Sequence, residues 1–580
     1  MLIDAKRPNY YCNWLPLKRF SAVSSNLAVN ETVTSPVHST KQEVIDLLQS
    51  NQPARAKELC LALRQKAADP HVLVLLANAH LGLGEVDAAV SEVREAIAIG
   101  WKDPRTFVML VALLIQQRKP TDADSYFKKL LKLGINEADA HKEVANVLRQ
   151  LGDRTNAIVQ YRQVVALSPR HAAAHFELAL SLQETGQFAE AVDWYEKTVR
   201  LDPTHAQAYC NLGASLAAVK QHDRAVAALE ESARLAPNNA VVHFQLGETY
   251  QLRNRFQEAA ACYRRALELN PNAAALHGSL GRALKNLGDV EGAIARHRRA
   301  LELEPNNAPA YHNLGLCLYD DRDLGPAREA FIQTVRLDPT NALSQFYLGM
   351  IYFQCGDESN GQKHFSEACR LWPYLECFVD SFRYSREQSP GARYFSVSGR
   401  VFEYAVSHSA TDGLFLEFGV FHGTSITIIA HLTPSVVHGF DTFQGLPSDW
   451  TVDNGQGQAV EPAGSYSTHG QLPDVPGNVR LHVGTFEETL PGFCREYTGP
   501  VSFMNIDCDL YSSTKTIFQN LEEQIRPGTV IVFDEYFCLP GWRDHEYKAF
   551  QEFISGSGLS YEYLGFNLFT GQAAVRIILP

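Results

Sequence analysis

The stretch "DPTHAQAYCNLGASLAAVKQHDRAVAALEESARLAP" (202–237) is one unit of a repeated sequence pattern. Its prolines belong to a series with a strict spacing of 34 residues: Pro169, Pro203, Pro237, Pro271, Pro305, Pro339 and Pro373. Glycines recur in the first half of successive units, at Gly213, Gly247, Gly281, Gly315 and Gly349. Because a glycine on one helix lets a second helix approach closely, this period predicts stacked helical hairpins.

The pattern resembles the tetratricopeptide repeat family over residues 37–373, which corresponds to about ten repeats. Such repeats cannot bury their apolar faces alone, so they stack into an all-α superhelix with a concave surface. The resemblance implies that this superhelix recruits a protein or peptide partner, or a large acceptor. Residues 1–36 lack the pattern, and we expect a disordered N-terminal segment there.

The periodic pattern stops after Pro373. Residues 374–400 predict a helical linker, and the composition of 401–580 shifts towards Phe, Gly and β-branched residues. Five apolar runs alternate there with helix-like segments, at 413–421, 436–443, 479–486, 501–511 and 528–536. This alternation predicts a second domain of the α/β, Rossmann-like class, with a mostly parallel sheet between helices.

The first apolar run ends in "LEFGVFHGTS" (416–425), an acid followed by a glycine-rich turn. The turn is not GxGxxG and lacks the GK[ST] motif, which disfavours dinucleotides and nucleoside triphosphates. An acid at the end of the second run suits the ribose hydroxyls of a nucleoside. A nucleoside site without a phosphate grip suggests S-adenosylmethionine. The candidate cofactor-binding residues of these two runs are Glu417, Gly419, Gly423, Thr424, Ser425 and Asp441.

Carboxylates follow two later runs, in "NIDCDLYSS" (505–513) and "FDEY" (533–536). Residues two apart in a strand share a face, so Asp507 and Asp509 are expected to project together. Asp534 and Glu535 end a neighbouring run and can converge on the same volume. Carboxylates without His or Cys favour a hard cation, Mg²⁺ or Mn²⁺. Two alternatives are that Asp509 caps the next helix and that Asp534 and Glu535 form a solvated turn.

Five sequence blocks, "LEFGVFHGTS", "GFDTFQGLP", "GNVRLHVGTFEETLP", "NIDCDLYSST" and "PGTVIVFDEY", resemble the macrocin O-methyltransferase family over roughly residues 410–555. The resemblance implies a class I methyltransferase fold that uses S-adenosylmethionine and a divalent metal on sugar hydroxyls. Many members carry Asp-Asp where this chain has Asp534-Glu535, and the longer glutamate alters the expected metal geometry.

The resemblance also implies roles for individual residues. The implied metal ligands are Asp507, Asp534 and Glu535, and the implied general base is Asp509. The methionine part of the cofactor would lie along Glu417, Gly419 and Gly423, with its ribose at Asp441 and its adenine between Thr485 and Phe486.

We therefore expect an S-adenosylmethionine-dependent O-methyltransferase (EC 2.1.1.-) acting on a sugar or glycoconjugate hydroxyl. One alternative is a metal-dependent glycosyltransferase, since "DCD" (507–509) fits its short D-x-D signature. The acid–glycine turn and Asp441 are unnecessary for that chemistry. The other alternative is a non-catalytic repeat scaffold with a degenerate methyltransferase domain.

Composition excludes several partners. The net charge is −13 and no basic run is present, which argues against nucleic-acid binding. No stretch approaches the roughly 18 apolar residues of a membrane span. Eleven cysteines without a CxxC pair predict free thiols in a reducing compartment, so the expected location is cytoplasmic. A homo-oligomer is compatible with the sequence.

Overall fold

A computed structural model describes residues 36–65, 69–453 and 458–580, without the side chains of 36–39 and 451–460. The predicted disordered segment therefore lies, except for Pro36, outside the described residues. The chain divides after Pro237 into two compact units.

The first unit consists of helices that pair consecutively into hairpins. Their bounds are α1 (Pro36–Gln49), α2 (Pro53–Arg64), α3 (Pro70–Gly82), α4 (Val86–Ala98), α5 (Pro104–Gln116), α6 (Pro120–Leu131), α7 (Glu137–Gln150), α8 (Arg154–Leu167), α9 (Ala172–Glu184), α10 (Phe188–Leu201), α11 (Ala206–Ala218) and α12 (His222–Leu235). Proline is the first residue of α3 and α5, where its missing N–H costs no hydrogen bond. The preceding Asp69 and Asp103 accept hydrogen bonds from backbone amides of the first turn.

The second unit begins with four further hairpins. Their helices are α13 (Ala240–Leu252), α14 (Phe256–Leu269), α15 (Ala274–Asn286), α16 (Val290–Leu303), α17 (Ala308–Leu318), α18 (Gly325–Leu337), α19 (Ala342–Gln354) and α20 (Glu358–Leu371). The repeated glycines do what the sequence predicts. A Cβ on Gly247 would lie 2.6 Å from the Tyr263 ring, and one on Gly349 would lie 2.4 Å from the Phe365 ring. Each glycine thus makes room for a large side chain of the paired helix.

The catalytic candidate domain follows in the same unit. Its elements are α21 (Glu376–Gln388), β1 (Arg393–Tyr394), α22 (Ser398–Ser407), β2 (Leu414–Phe418), α23 (Thr424–Leu432), β3 (Val437–Asp441), β4 (Trp450–Asp453), β5 (Gln458–Glu461), β6 (Val479–Val483), α24 (Phe486–Glu496), β7 (Val501–Ile506), α25 (Tyr511–Leu521), β8 (Val530–Phe533), α26 (Glu546–Ser557), β9 (Ser560–Asn567) and β10 (Gln572–Ile578). Short 3₁₀ turns occupy Pro373–Leu375 and Trp542–Asp544.

Eight strands form one sheet in the order β1-β9-β10-β8-β7-β2-β3-β6, while β4 and β5 form a separate hairpin. The pairs β2–β3, β2–β7, β3–β6 and β7–β8 are parallel, as predicted, whereas β10 is antiparallel to both of its neighbours. The chain runs from β2 to β3 and β6 on one side and to β7 and β8 on the other. The strand order therefore reverses between β2 and β7, the place where ligands bind in such sheets.

The last repeats and the sheet share one hydrophobic core. The turn between β9 and β10 carries Phe569, whose ring stacks on Tyr347 of α19 with centroids 4.1 Å apart and meets Tyr319 edge-on at 5.3 Å. Nearby, Arg393 of β1 donates hydrogen bonds of 2.7 and 2.8 Å to Asp321. Helices α13–α20 are thus packed with the domain as one compact unit.

Candidate active site

The glycine turn after β2 is built so that only glycine fits its first position. Gly419 has φ +90°, and a Cβ there would lie 1.7 Å from the carbonyl oxygen of Asp507. Its amide donates to Phe440 at 3.0 Å, so the turn is fixed to the end of β3. Gly423, with φ +76°, immediately precedes α23 and its half-buried first residue, Thr424. Backbone therefore stands where a cofactor would approach.

Glu417, the acid before this turn, is completely buried at the end of β2. Ser425 donates a hydrogen bond to Oε1, and Oε2 is buried without a hydrogen-bond partner. Burial, the largest cause, and the charges of Asp534 and Asp441 together raise the pKa of Glu417 to about 8, against the opposing hydrogen bond from Ser425. A buried carboxylate oxygen without a donor fits a ligand that brings one.

Asp441, at the end of β3, holds the glycine turn from the other side. Its Oδ2 accepts the amides of Val420 and Phe421, both at 2.8 Å, and its Oδ1 accepts the amide of Phe443 at 2.7 Å. Asp441, the residue predicted to bind the ribose, therefore also shapes the turn. Each carboxylate oxygen can accept more than one hydrogen bond, so the half-buried group keeps acceptor capacity for a hydroxyl.

Thr485 and Phe486 stand at the start of α24, beyond β6. Thr485 and Glu488 form a capping box, in which Glu488 accepts the Thr485 amide at 3.0 Å. The Phe486 ring packs edge-on against Phe418 at 5.5 Å. Because Gly484 donates to the Asp441 carbonyl at 3.1 Å, these residues lie beside the end of β3. The structure thus brings the predicted adenine and ribose residues to one edge.

The acidic residues follow β7 and β8 at the same edge. Asp507 donates its amide to Phe418 at 2.8 Å, and Asp534 donates its amide to Ile506 at 2.9 Å. The side chains of Asp507, Asp509, Asp534 and Glu535 are half-buried. The two acidic segments therefore converge, as the sequence predicts.

The conformation of Asp509 differs from the predicted strand geometry. β7 ends at Ile506, and Asp509 has φ +60°, a left-handed conformation that is strained outside glycine. Its carboxyl group lies beside that of Glu535, and the Asp509 charge raises the pKa of Glu535. Helix α25 begins at Tyr511 without any side-chain cap, so the interpretation of Asp509 as a helix cap is wrong.

The acidic residues raise one another's pKa. Loss of hydration is the largest cause for Asp507, and the charges of Asp534, Asp509 and Glu417 add to it. Loss of hydration and the Asp509 charge likewise hold the pKa of Glu535 well above its ordinary value. Loss of hydration raises the pKa of Asp534 to about 6. Carboxylates gathered this closely are stable only when some of them are protonated or when a cation is bound.

Two residues beside the acids, Glu546 and Gln572, are not predicted from the sequence. Glu546, the first residue of α26, is completely buried; its Oε2 accepts a hydrogen bond from the amide of Glu535 at 3.2 Å, and its Oε1 is buried without a hydrogen-bond partner. This carboxylate therefore holds the segment after β8 in place. Gln572 of β10 donates a hydrogen bond to Oδ1 of Asp534. Neither residue lies in a motif, and only the fold brings them near the acids.

Left-handed residues other than glycine recur around the site. Phe421, Phe443, Tyr466 and Cys538 have φ of +49°, +56°, +62° and +64°. The Tyr466 ring meets Phe421 edge-on at 6.1 Å, and burial with the charges of Asp509 and other acids raises the pKa of its hydroxyl. Strained backbone of this kind concentrates at functional sites. Tyr466 belongs to none of the motifs in the sequence.

The side chains gathered at this edge are carboxylates, the donors that a hard divalent cation prefers, and Oε2 of Glu535 is buried without a hydrogen-bond partner. Within 36–65, 69–453 and 458–580, however, no three His, Cys, Asp or Glu side chains form a group that could hold a metal ion. The acids are therefore gathered at one edge without a preassembled triad.

Comparison with known families agrees with this architecture. Residues 416–536 match the family model described as "Methyltransferase domain", and residues 42–104 match "Tetratricopeptide repeat". The chain joins tetratricopeptide repeats to a methyltransferase domain. Residues 137–345 also match "Cilia and flagella-associated protein 70 C-terminal domain".

A curated relative from Streptomyces olivaceus, "8-demethyl-8-(2,3-dimethoxy-alpha-L-rhamnosyl)-tetracenomycin-C 4'-O-methyltransferase", is 29% identical over 172 residues. The match covers 25% of this chain and 63% of that relative. It supports methyltransferase activity in the second domain.

Among solved structures, MamA is 25% identical, with 28% of this chain and 95% of that chain covered and a TM-score of 0.28. YrrB, described as a TPR protein with an unusual peptide-binding site, is 22% identical, with 32% and 95% covered and a TM-score of 0.29. Of the helices in the described part of the chain, none is long and apolar enough to span a membrane.

Proposed function

We propose that the protein is an S-adenosylmethionine-dependent and divalent-cation-dependent O-methyltransferase whose acceptor is a sugar or glycoconjugate hydroxyl. One observation carries the proposal: the acid–glycine turn of β2 and the half-buried carboxylates after β7 and β8 meet at the point where strand order reverses. A nucleoside cofactor and a hydroxyl acceptor both need this arrangement. The name of the Streptomyces relative, a methyltransferase of a rhamnosyl group, supports the choice of a sugar.

The cofactor-binding residues divide the ligand between them. Glu417 has an unpartnered oxygen to accept a hydrogen bond from an ammonium group, beside Gly419, Gly423, Thr424 and Ser425. Asp441 would accept the ribose hydroxyls, and Thr485 and Phe486 would flank the adenine. When bound, S-adenosylmethionine supplies a methyl group on a sulfonium, a leaving group that needs no protonation. The chain then has mainly to position the acceptor oxygen in line.

Asp507, Asp534 and Glu535 would hold the cation through their carboxylates. A bound hard cation supplies charge that lowers the pKa of a coordinated hydroxyl. Asp509 would accept the hydroxyl proton, a role typically worth ~10²–10⁴-fold in rate. Its carboxyl group lies beside that of Glu535, one of the proposed cation ligands. Glu546 holds the segment that carries Asp534 and Glu535 through the backbone amide of Glu535.

The repeats are proposed to recruit a protein partner or a large acceptor, because stacked helical hairpins offer an extended concave surface. We propose residues 37–373 as the repeat region, 374–400 as its linker and 401–580 as the catalytic domain. We also propose a cytoplasmic location, where the cysteines would remain reduced.

Titration calorimetry of the full chain with S-adenosylmethionine, with and without EDTA, tests the cofactor. A tritium-transfer assay with methyl α-L-rhamnopyranoside as acceptor, with added Mg²⁺ or EDTA, tests the reaction. We expect saturable cofactor binding and transfer that EDTA abolishes. Binding of UDP-glucose without binding of S-adenosylmethionine would favour a glycosyltransferase. Absence of both would favour a scaffold.

A further inference from the structure

The turn between β9 and β10 touches the repeats on one side and the acidic site on the other. Its residue Phe569 is almost completely buried against Tyr319 and Tyr347. Three residues later, Gln572 is fully buried and donates to the Asp534 carboxylate. The turn therefore spans the distance between α17–α19 and the end of β8.

The amide of Gln572 is held in one orientation by its own turn. Its Oε1 accepts hydrogen bonds from Asn567 at 3.2 Å and from Thr570 at 2.9 Å, which directs its NH₂ group at Asp534. Asn567 in turn accepts the Phe569 amide at 3.1 Å. The hydrogen bonds thus run continuously from Phe569 to Asp534.

The turn also braces the segment that carries the acids. Gly571 accepts the Phe537 amide at 2.9 Å, and Ala573 pairs with Phe533 in the sheet. A Cβ on Gly571 would lie 2.9 Å from the Phe537 carbonyl oxygen, so the two backbones are in close contact. The position of residues 533–537 therefore depends on the position of the turn.

We propose that Gln572 and Phe569 are positioning residues for the active site: Gln572 orients Asp534, and the packing of Phe569 on the repeats fixes Gln572. The last repeats are then part of the scaffold of the acidic site as well as a recruiting surface. The proposal rests on the proposed function in that Asp534 serves as a cation ligand. Mutation of a residue that hydrogen-bonds to a metal ligand typically weakens metal affinity about 10–100-fold.

The test compares the full-length variants Phe569→Ala and Gln572→Leu with Asp321→Asn. The last variant loosens the same interface through Arg393 and has no link to Asp534 among the hydrogen bonds of the described residues. The readouts are Mn²⁺ affinity by titration and hydrogen exchange of a peptide covering 528–540, relative to one covering 412–422. Circular dichroism checks folding, and Phe569→Leu replaces the alanine variant if that variant is unfolded.

We expect Phe569→Ala and Gln572→Leu to weaken Mn²⁺ binding about tenfold and to accelerate exchange of 528–540, with Asp321→Asn changing neither. Equal effects of all three variants would mean packing alone and would overturn the proposal, as would no effect of Gln572→Leu. If the wild type does not bind Mn²⁺, the cation of the proposed function is wrong. Exchange of 528–540 then decides: selective acceleration supports the positioning role, and uniform rates overturn it.

Discussion

The repeats and the methyltransferase domain treat poorly hydrated carboxylates in opposite ways. In the repeats, Glu92 pairs with Arg64 at 2.7 Å and Glu248 pairs with Arg282 at 2.8 Å. In the domain, acids gather after β7 and β8, and among the described residues none of them forms an ion pair with lysine or arginine. The repeat carboxylates stabilise the fold, whereas those of the domain are held at a cost to it.

The difference indicates where function lies. Unpaired poorly hydrated acids with raised pKa values mark sites prepared for a ligand, while paired acids mark structure. Substitutions matched between the two regions, or between a buried and an exposed ion pair, separate these roles.

Asp509→Asn should lower the turnover of methyl transfer by ~10²–10⁴-fold and leave the affinity for S-adenosylmethionine unchanged, because Asn cannot accept the hydroxyl proton. Turnover is measured by tritium transfer to methyl α-L-rhamnopyranoside, and affinity by calorimetry. The matched control in the repeats is Asp124→Asn, which removes the exposed ion pair with Lys128 and should alter neither. Equal losses of turnover and affinity would show that Asp509 is structural.

Gly419→Ala should lower the free energy of unfolding of the domain by roughly 2–4 kcal/mol, the combined cost of overpacking and a left-handed alanine. It should also abolish cofactor binding, because the added Cβ collides with backbone at Asp507. In the repeats, Gly213 is not left-handed and its added Cβ meets chiefly the side chain of Leu229, so a smaller loss is expected. Hydrogen exchange of peptides from each region separates the two effects. A Gly419→Ala protein with wild-type cofactor affinity would contradict the described turn.

Glu417→Gln should flatten the pH dependence of the domain's stability in the ligand-free protein. Burial raises the pKa of Glu417 to about 8, so the folded protein keeps this proton after the unfolded chain has lost it. The free energy of unfolding therefore falls as pH rises from about 4.5 towards 8, by up to ~1.4 kcal/mol per pH unit. Hydrogen exchange of 412–432 between pH 5 and 7, corrected for intrinsic rates, measures the slope.

Asp69 in the repeats should change the free energy of unfolding with pH in the opposite direction. Burial pushes the pKa of Asp69 upward, but the hydrogen bonds from Lys41 and the His71 amide outweigh it, so the pKa lies below its ordinary value. Its contribution to stability is present above pH 4 and is lost as pH falls through the folded pKa. Asp69→Asn should therefore remove stability at neutral pH. The contribution of each residue is the difference between wild type and variant in the pH slope of the free energy of unfolding. Contributions of the same sign for Glu417 and Asp69 would contradict the contrast between the two regions.

Arg64→Ala should lower the stability of the first repeats by roughly 1–2 kcal/mol, because Glu92 then stays almost buried without a partner. Lys128→Ala, in an exposed pair with Asp124, should cost less than ~0.5 kcal/mol. Urea denaturation followed by exchange of peptides from α2–α4 and α6 measures both. Equal costs would mean that burial does not decide the value of these pairs.

The repeats and the acidic edge could be predicted because their signals are local or periodic. The proline and glycine spacing predicts the hairpins, and runs of apolar residues predict β2, β3, β6, β7 and β8. The acids at their carboxyl ends are expected together because parallel strands end at one edge. These features depend on few assumptions about distant residues.

What the sequence could not predict depends on long-range packing. Glu546 and Gln572 reach the acids only through the placement of α26 and β10. The strained conformation of Asp509 follows from the sharp turn between β7 and α25, whereas a strand pattern would place it on a pleated face. The sequence predicts that Asp441 binds ribose. Its hydrogen bonds to the glycine turn could not be predicted, because they depend on how the ends of β2 and β3 lie in the fold.

The stacking of Phe569 on Tyr347 has a consequence for how this gene can be divided. In the sequence, the end of the last repeat near Pro373 looks like a domain boundary, yet the compact unit that contains the sheet begins at Asn238. A fragment starting at residue 374 would present Phe569 and the rest of its aromatic contact surface to water, inviting aggregation. The repeats that contact Phe569 are therefore part of the fold that follows them, so repeats can be added or lost without exposing this surface only upstream of them.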